Sequence, residues 1–242
     1  MALRRPPAAS DRAFVLRVSP YGDADAVVQL LTSANGALAA LARRARASSN
    51  KHSIIIEPFH TLTVELAQTS GELAILRTST IATARVSLLE HADRLETAGI
   101  ATRWVRTLCP PRVPEPEVFA ALETLLDRLA ESANAEGALA AFGLILLDAL
   151  GYGLDLAGCA RCARARPEGR PGYVSGAGGG VLCESCRRGV TIDAPLISGI
   201  TLDALGSDRW VELPEDDRSA LGRVVRDAIE SRARAVGVRL PR

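Results

Sequence analysis

The chain has 242 residues, enough for a sizeable hydrophobic core, and a net charge of only +1 with 4% aromatic residues. No run approaches the roughly 20 apolar residues that span a bilayer, and the start (Arg4, Arg5, then Pro6, Pro7 and Asp11) breaks off where a secretory segment needs an apolar stretch. A cytosolic protein with no membrane partner is expected.

The first eighty residues read as five short strands: Ala13 to Val18, Ala26 to Thr32, Ala37 to Arg43, Leu62 to Ala67 and Leu73 to Thr78. Asn35-Gly36 and Ser70-Gly71 suit tight hairpins, whereas the stretch between Arg43 and Leu62 must be a long excursion. Five strands with one long connection are compatible with an OB-fold barrel over 1–80. Beyond Thr80 the period becomes helical. Ala84 to Leu108 is a helical candidate with a break expected at Gly99, and Val118, Leu122, Leu125, Leu126 and Leu129 form one apolar stripe behind Pro116. Another helix runs from about Ala135 to Leu150 and stops at Gly151, and the last spans Pro214 to about Val236. Its leading acids, Glu215, Asp216 and Asp217, are read as complements of the helix dipole. The fold class is therefore α+β: a five-stranded OB-fold barrel, then a helical domain over 81–242 interrupted by a cysteine module at 156–190.

That module carries the strongest chemical signal. Cys159, Cys162, Cys183 and Cys186 form two C-x2-C pairs, and two such knuckles face to face supply the four soft thiolates that tetrahedral zinc prefers. With all four places taken by protein, one structural zinc is the reading, ahead of a redox dithiol or two disulfides. Cys109 stands apart beside Pro110 and Pro111 and is expected to be a buried apolar residue.

Charge is segregated along the chain: residues 1–80 carry +3, 81–158 carry −5 and 159–190 carry +4. Basic segments flanking an acidic middle suggest a polyanion held at particular faces. Arginine content alone says little, because 28 of 29 basic residues are Arg and only Lys51 is Lys, a bias that base composition can produce. Placement says more. The stretch from Arg43 to His52 holds Arg43, Arg44, Arg46 and Lys51 among Ser and Asn, with no acid, where the third strand enters the long connection. Such a loop can neutralise phosphates, and Arg161, Arg164, Arg187 and Arg188 of the cysteine module extend the candidate DNA-binding set. Phe14 and Phe59 are expected in the core, which leaves Tyr21 as the main stacking candidate and puts the weight on backbone charge. Asp23 and Asp25 are read as ordinary turn carboxylates. No Walker, G-x-S-x-G or H-x-x-x-H pattern appears, so no catalytic residue is assigned.

Taken together, several stretches resemble the RecO recombination mediators of bacterial DNA repair. They include Arg12 to Leu16, Tyr21 to Asp25, the basic loop, Pro58-Phe59, Gly71 to Leu73, and above all Leu146 to Gly153 with Leu156 and Cys159 to Cys162. The resemblance implies a non-catalytic protein that binds single- and double-stranded DNA and anneals complementary strands. With RecR it would help load RecA onto DNA covered by single-strand-binding protein, contacting the C-terminal tail of that protein through the helical domain, in the nucleoid. Many members carry glycine in the basic loop where this chain has Arg44, and not all have the zinc cysteines. An RNA-binding or translation-associated protein, or an accessory subunit with a cryptic nuclease, are the alternatives.

Overall fold

The computed structural model describes residues 9–45, 54–68, 71–131, 134–189, 193–238 and 240. Strands β1 (Ala9–Tyr21), β2 (Asp25–Thr32), β3 (Gly36–Ala42), β4 (Thr61–Ala67) and β5 (Ala74–Thr83) close into a barrel of order β1-β2-β3-β5-β4, with β3 and β5 parallel and the other pairs antiparallel. This bears out the five-stranded barrel. β1 is longer than its apolar run suggests because it serves two neighbours. Its first half pairs with β4 (Ala9↔Leu66 to Ala13↔Leu62) and its second with β2 (Ala13↔Thr32 to Tyr21↔Asp25). The change of partner falls at Ala13, which pairs with both, and a register shift between Val15 and Arg17 lies just beyond it within the β1–β2 pairing, where it adds local twist.

Side-chain alternation divides β1 between two cores. Ala13 and Val15 point inward with Val28, Leu30, Leu62, Val64 and Leu76, whereas Phe14 packs outward with Leu31 into the helical core. The Phe14 ring lies 4.8 Å from that of Phe119, centroid to centroid.

The β2–β3 hairpin is organised by the buried carboxylate of Asp11, which accepts from Ser33 Oγ at 2.6 Å, Asn35 Nδ2 at 3.0 Å and the Ala34 N–H at 3.1 Å. Gly36 is required here, since its φ is +66° and an added Cβ would lie 1.9 Å from Val113 O. The Ser70-Gly71 turn falls partly outside the described residues. So does most of the long connection, whose end returns through a bridge between Ile54 and Ser79.

Helical structure begins with a short 3-10 turn at Val86–Glu90, followed by α1 (Ala92–Leu108), α2 (Pro116–Ala130) and α3 (Ala135–Ala149). The break expected at Gly99 lies instead at His91, whose backbone is extended (φ −125°), and α1 runs through Gly99 unbroken. Pro116 occupies the first turn of α2, Asn134 caps α3 by accepting from the Gly137 N–H at 3.1 Å, and Gly151 follows with φ +76°. The inset hairpin β6 (Gly172–Ser175) and β7 (Gly180–Leu182), with α4 (Glu184–Arg188) and β8 (Leu196–Ile197), precedes α5 (Gly199–Ser207) and α6 (Glu215–Ala235). The hairpin sits directly on α6: an added Cβ at Gly176 would lie 2.1 Å from Val224 O.

One of the acids opening α6 does more than face the helix dipole. Asp217 is buried and accepts from Ser198 Oγ and from Thr201 Oγ1 at 2.6 Å, tying the starts of α5 and α6 together. Among the described residues no helix is long and apolar enough to cross a membrane.

Candidate metal centre and nucleic-acid interface

The first knuckle is a tight loop. Cys159 N–H donates to Arg164 O at 2.9 Å, Ala163 N–H donates to Cys159 O at 2.8 Å, and Ala163 takes φ +56° to reverse the chain. The second knuckle is the start of α4, with Cys183 at the N-cap and Cys186 one turn on. Their ligand atoms all lie within 4.8 Å of one another, and Cys162 Sγ is 3.7 Å from Cys183 Sγ. Four sulfurs at about 2.3 Å from a tetrahedral ion are themselves about 3.8 Å apart, so the group could hold a metal ion.

Electrostatics point the same way. The Cys183 thiol is pulled down to about 6, first by the Ser185 hydroxyl at 3.2 Å and then by the Cys186 backbone, while Cys186 is pushed up to about 12, first by its contact with Cys183. Cys159 is lowered, chiefly by backbone hydrogen bonding from Cys183. Four thiols this close cannot all ionise without a cation among them. Cys109, by contrast, is buried and its thiol is raised to about 12 by burial and then by Glu115, which fits an inert core residue.

The barrel's basic edge starts where β3 ends. Arg43 is exposed, and Arg44, also exposed, holds φ +56° while its N–H donates to Asp25 Oδ1 at 2.7 Å. That left-handed backbone explains why glycine suits the position. Asp25 is thereby a turn anchor. Arg46 and Lys51 lie outside the described residues. In the cysteine module, Arg187 lies over the Tyr173 ring at 4.1 Å and Arg188 pairs with Glu184, whereas Arg161 and Arg164 are exposed and have no acidic partner among the described residues. Tyr21 is 57% exposed at the end of β1, while Phe14 is fully buried and Phe59 partly so, on a turn with φ +70°.

Sequence reasoning missed Arg85. Its guanidinium is buried between barrel and helices, donating from Nε to Asp127 Oδ1 at 2.7 Å and from Nη1 to Thr61 Oγ1 at 3.0 Å, with Glu123 3.8 Å away. Glu123 also pairs with Arg12 and accepts from Thr61 Oγ1 at 3.0 Å. Part of the acidic excess of 81–158 is therefore matched by Arg12 and Arg85 of the chain itself, at partly exposed carboxylates. Arg85 carries no periodicity or motif; its only signal is a lone cation at the junction of strand and helix patterns.

Comparison with known proteins covers both halves. The model for "Recombination protein O N terminal" matches residues 8–85 and that for "Recombination protein O C terminal" matches 90–235. A "DNA repair protein RecO" of Anaeromyxobacter sp. (strain K) is 38% identical over 192 residues, covering 79% of this chain and 75% of that protein. A protein of the same name from Myxococcus xanthus is 33% identical over 213 residues, covering 86% of each chain, and another from Geobacter sulfurreducens is 33% identical over 176 residues, covering 73% and 72%. With the barrel, the helical body and the cysteine cluster all in place, the chain belongs to the RecO family of DNA repair proteins.

Proposed function

We propose that this protein is a non-catalytic recombination mediator that binds single- and double-stranded DNA, anneals complementary strands and, with RecR, helps load RecA. The observation that carries this reading is a closed barrel with exposed Arg43 and Arg44 at the end of β3, in a chain matched by the RecO models at 8–85 and 90–235. Arginines there and at Arg161 and Arg164 can each neutralise phosphates, which lowers the repulsion between two strands that slows their encounter. The barrel (1–80) and helical part (81–242, with 156–190 inset) act in this reading as two binding units.

The metal is zinc, in a structural role. Four thiolates suit it, and no place is left for water. Cys159, Cys162, Cys183 and Cys186 would hold it, and it would supply folding free energy to the inset without taking part in chemistry on DNA.

For the acidic tail of single-strand-binding protein, the helical part offers a hollow of about 190 Å³ lined by Ala138, Ala141, Trp210 and Leu213, with two cations, Arg128 and Arg218, against one acid, Glu212. Arg128 already lies over the Trp210 ring at 5.0 Å.

The test is annealing of labelled complementary strands with and without ATP, beside gel shifts on single-stranded DNA, duplex DNA and RNA at low and high salt. Annealing that falls with salt and ignores ATP is expected. A strict ATP requirement, or a preference for structured RNA, would overturn the reading.

A further inference from the structure

An acid stands on the basic edge of the barrel. Ala26 pairs with Ala42, both inside the barrel, so Asp25, one residue back, and Arg43, one residue on, come beside each other on the outer face. Tyr21 pairs with Asp25 on its other side, which puts Tyr21, Asp25 and Arg43 in one row at the ends of three strands. A carboxylate in such a row repels a phosphate backbone, so by charge alone it weakens the grip of the arginines next to it.

Its hydrogen bonding shows what it does there. Asp25 Oδ1 accepts from the Arg44 N–H at 2.7 Å, and Arg44 has φ +56°, a left-handed backbone that a residue with a Cβ keeps only when something holds it. A backbone N–H donating to a carboxylate is one of the stronger hydrogen bonds available for that purpose. Among the described residues no ion pair joins Asp25 to Arg43 or Arg44, and both arginines are exposed. The acid therefore fixes the peptide of Arg44 and leaves both guanidiniums unneutralised. Asp23, two residues earlier in the same turn, provides the comparison. It is exposed and has no hydrogen-bond or ion-pair partner among the described residues.

We propose that Asp25 is a positioning residue for DNA binding: its carboxylate holds the backbone of Arg44 left-handed and so sets the direction in which the chain leaves β3, with Arg43 and Arg44 aimed at phosphate. Asp25 acts through Arg44 and does not itself touch DNA. The coulombic penalty of one acid on the edge is smaller than the gain from an ordered pair of cations, since a cation that must first be ordered binds less well than one already in place. The consequence is a reversal of sign within one turn. Removing Asp25 weakens DNA binding, whereas removing Asp23, of equal charge, strengthens it. This rests on the DNA-binding reading above and adds to it a residue that charge counting would place on the wrong side.

The test uses the full chain and a fluorescein-labelled oligonucleotide of mixed sequence, single-stranded and as a duplex, with anisotropy read from low to high salt. Thermal melting verifies that each variant is folded. Asp23→Ala is expected to bind about twofold tighter than wild type at low salt, as the loss of a nearby acid requires. Asp25→Ala is expected to bind about fivefold weaker, with a log–log salt slope lower by about 0.7 to 0.9, the loss of one phosphate contact. Asp25→Asn keeps an acceptor for the Arg44 N–H and is expected to recover most of that loss. Glycine takes the left-handed backbone without a tether, so in an Arg44→Gly background Asp25→Ala is expected to cost less than about twofold. Asp25→Ala that binds as tightly as Asp23→Ala, Asp25→Asn that is as weak as Asp25→Ala, or a loss that is the same with and without Arg44→Gly would overturn the positioning role while leaving DNA binding intact. Wild-type protein that binds neither strand would overturn the DNA-binding reading itself.

Discussion

Arg85 Nε donates to Asp127 Oδ1 at 2.7 Å, joining the end of the barrel to α2 through a guanidinium that is buried on the barrel side. The same side chain reaches the Phe59 carbonyl and Thr61, so a single residue ties three segments together. Arg85→Ala should therefore lower unfolding free energy by about 3 kcal/mol, the low end for breaking a buried ion pair because Asp127 is half exposed. A urea melt with an unchanged midpoint would contradict this.

The cysteine centre should copurify with one zinc per chain. Cys162→Ser or a strong chelator should loosen the inset, since binding in such sites contributes on the order of 10 kcal/mol of folding free energy. Metal analysis checks the first statement and limited proteolysis between residues 156 and 190 the second. Protein purified without chelators and free of zinc would refute the assignment.

The basic edge yields a test that separates backbone from charge. Changing Arg43, Arg44, Arg46 and Lys51 together to Ala should weaken binding alike across sequences and reduce the log–log salt slope by about 0.7 to 0.9 for each phosphate that is no longer neutralised. Arg44→Gly should give up its own phosphate yet gain up to about 1 kcal/mol of stability, because glycine takes the left-handed conformation without strain. Arg44→Ala should give up the phosphate without that gain. Paired salt titrations and thermal melts read the two effects independently.

Acid sensitivity of the inset should depend on Asp203. Its carboxylate is held below the ordinary range, first by a hydrogen bond from Arg166 Nη2 at 2.6 Å and then by the Gly169 N–H at 2.6 Å. A depressed folded value means that the stabilisation is present above the unfolded value of about 3.9 and is lost as pH falls through the folded one. Asp203→Asn should thus be less stable than wild type at neutral pH, with the gap closing below about pH 4. Parallel pH melts check the sign.

A synthetic acidic tail peptide of single-strand-binding protein should bind the wild type at low salt, and Arg128→Ala with Arg218→Ala should weaken it. Calorimetric titration showing no heat and no competition would remove the Trp210 hollow from consideration.

The barrel was legible because each strand run is bounded by turn residues, and the cysteine cluster because its spacing is a chemical statement in itself. Strand ends were less so. β1 reaches Ala9 and Tyr21 only because β4 and β2 each claim one half of it, which is a tertiary fact. Gly99 looked like a break but lies in a helix whose neighbours, Ala98 and Ala101, are fully buried, and packing outweighs the modest cost of one glycine. Arg17, Gln29 and Ala39 pair in one row across β1, β2 and β3, joining residues far apart in sequence through register alone. A local pattern search does not find such a row.

The alternation along β1 has a thermodynamic consequence. Val15 belongs to the barrel interior and its neighbour Phe14 to the helical interior, each almost wholly inaccessible to solvent. Unfolding the barrel withdraws Phe14 from the helical core, and melting the helices strips cover from Phe14 and Leu31 on the barrel wall. Removing a buried Phe side chain alone costs about 3 to 5 kcal/mol, a large part of a typical domain's total. The two halves, however separable as binding units, are bound to melt together, in a single calorimetric transition rather than two.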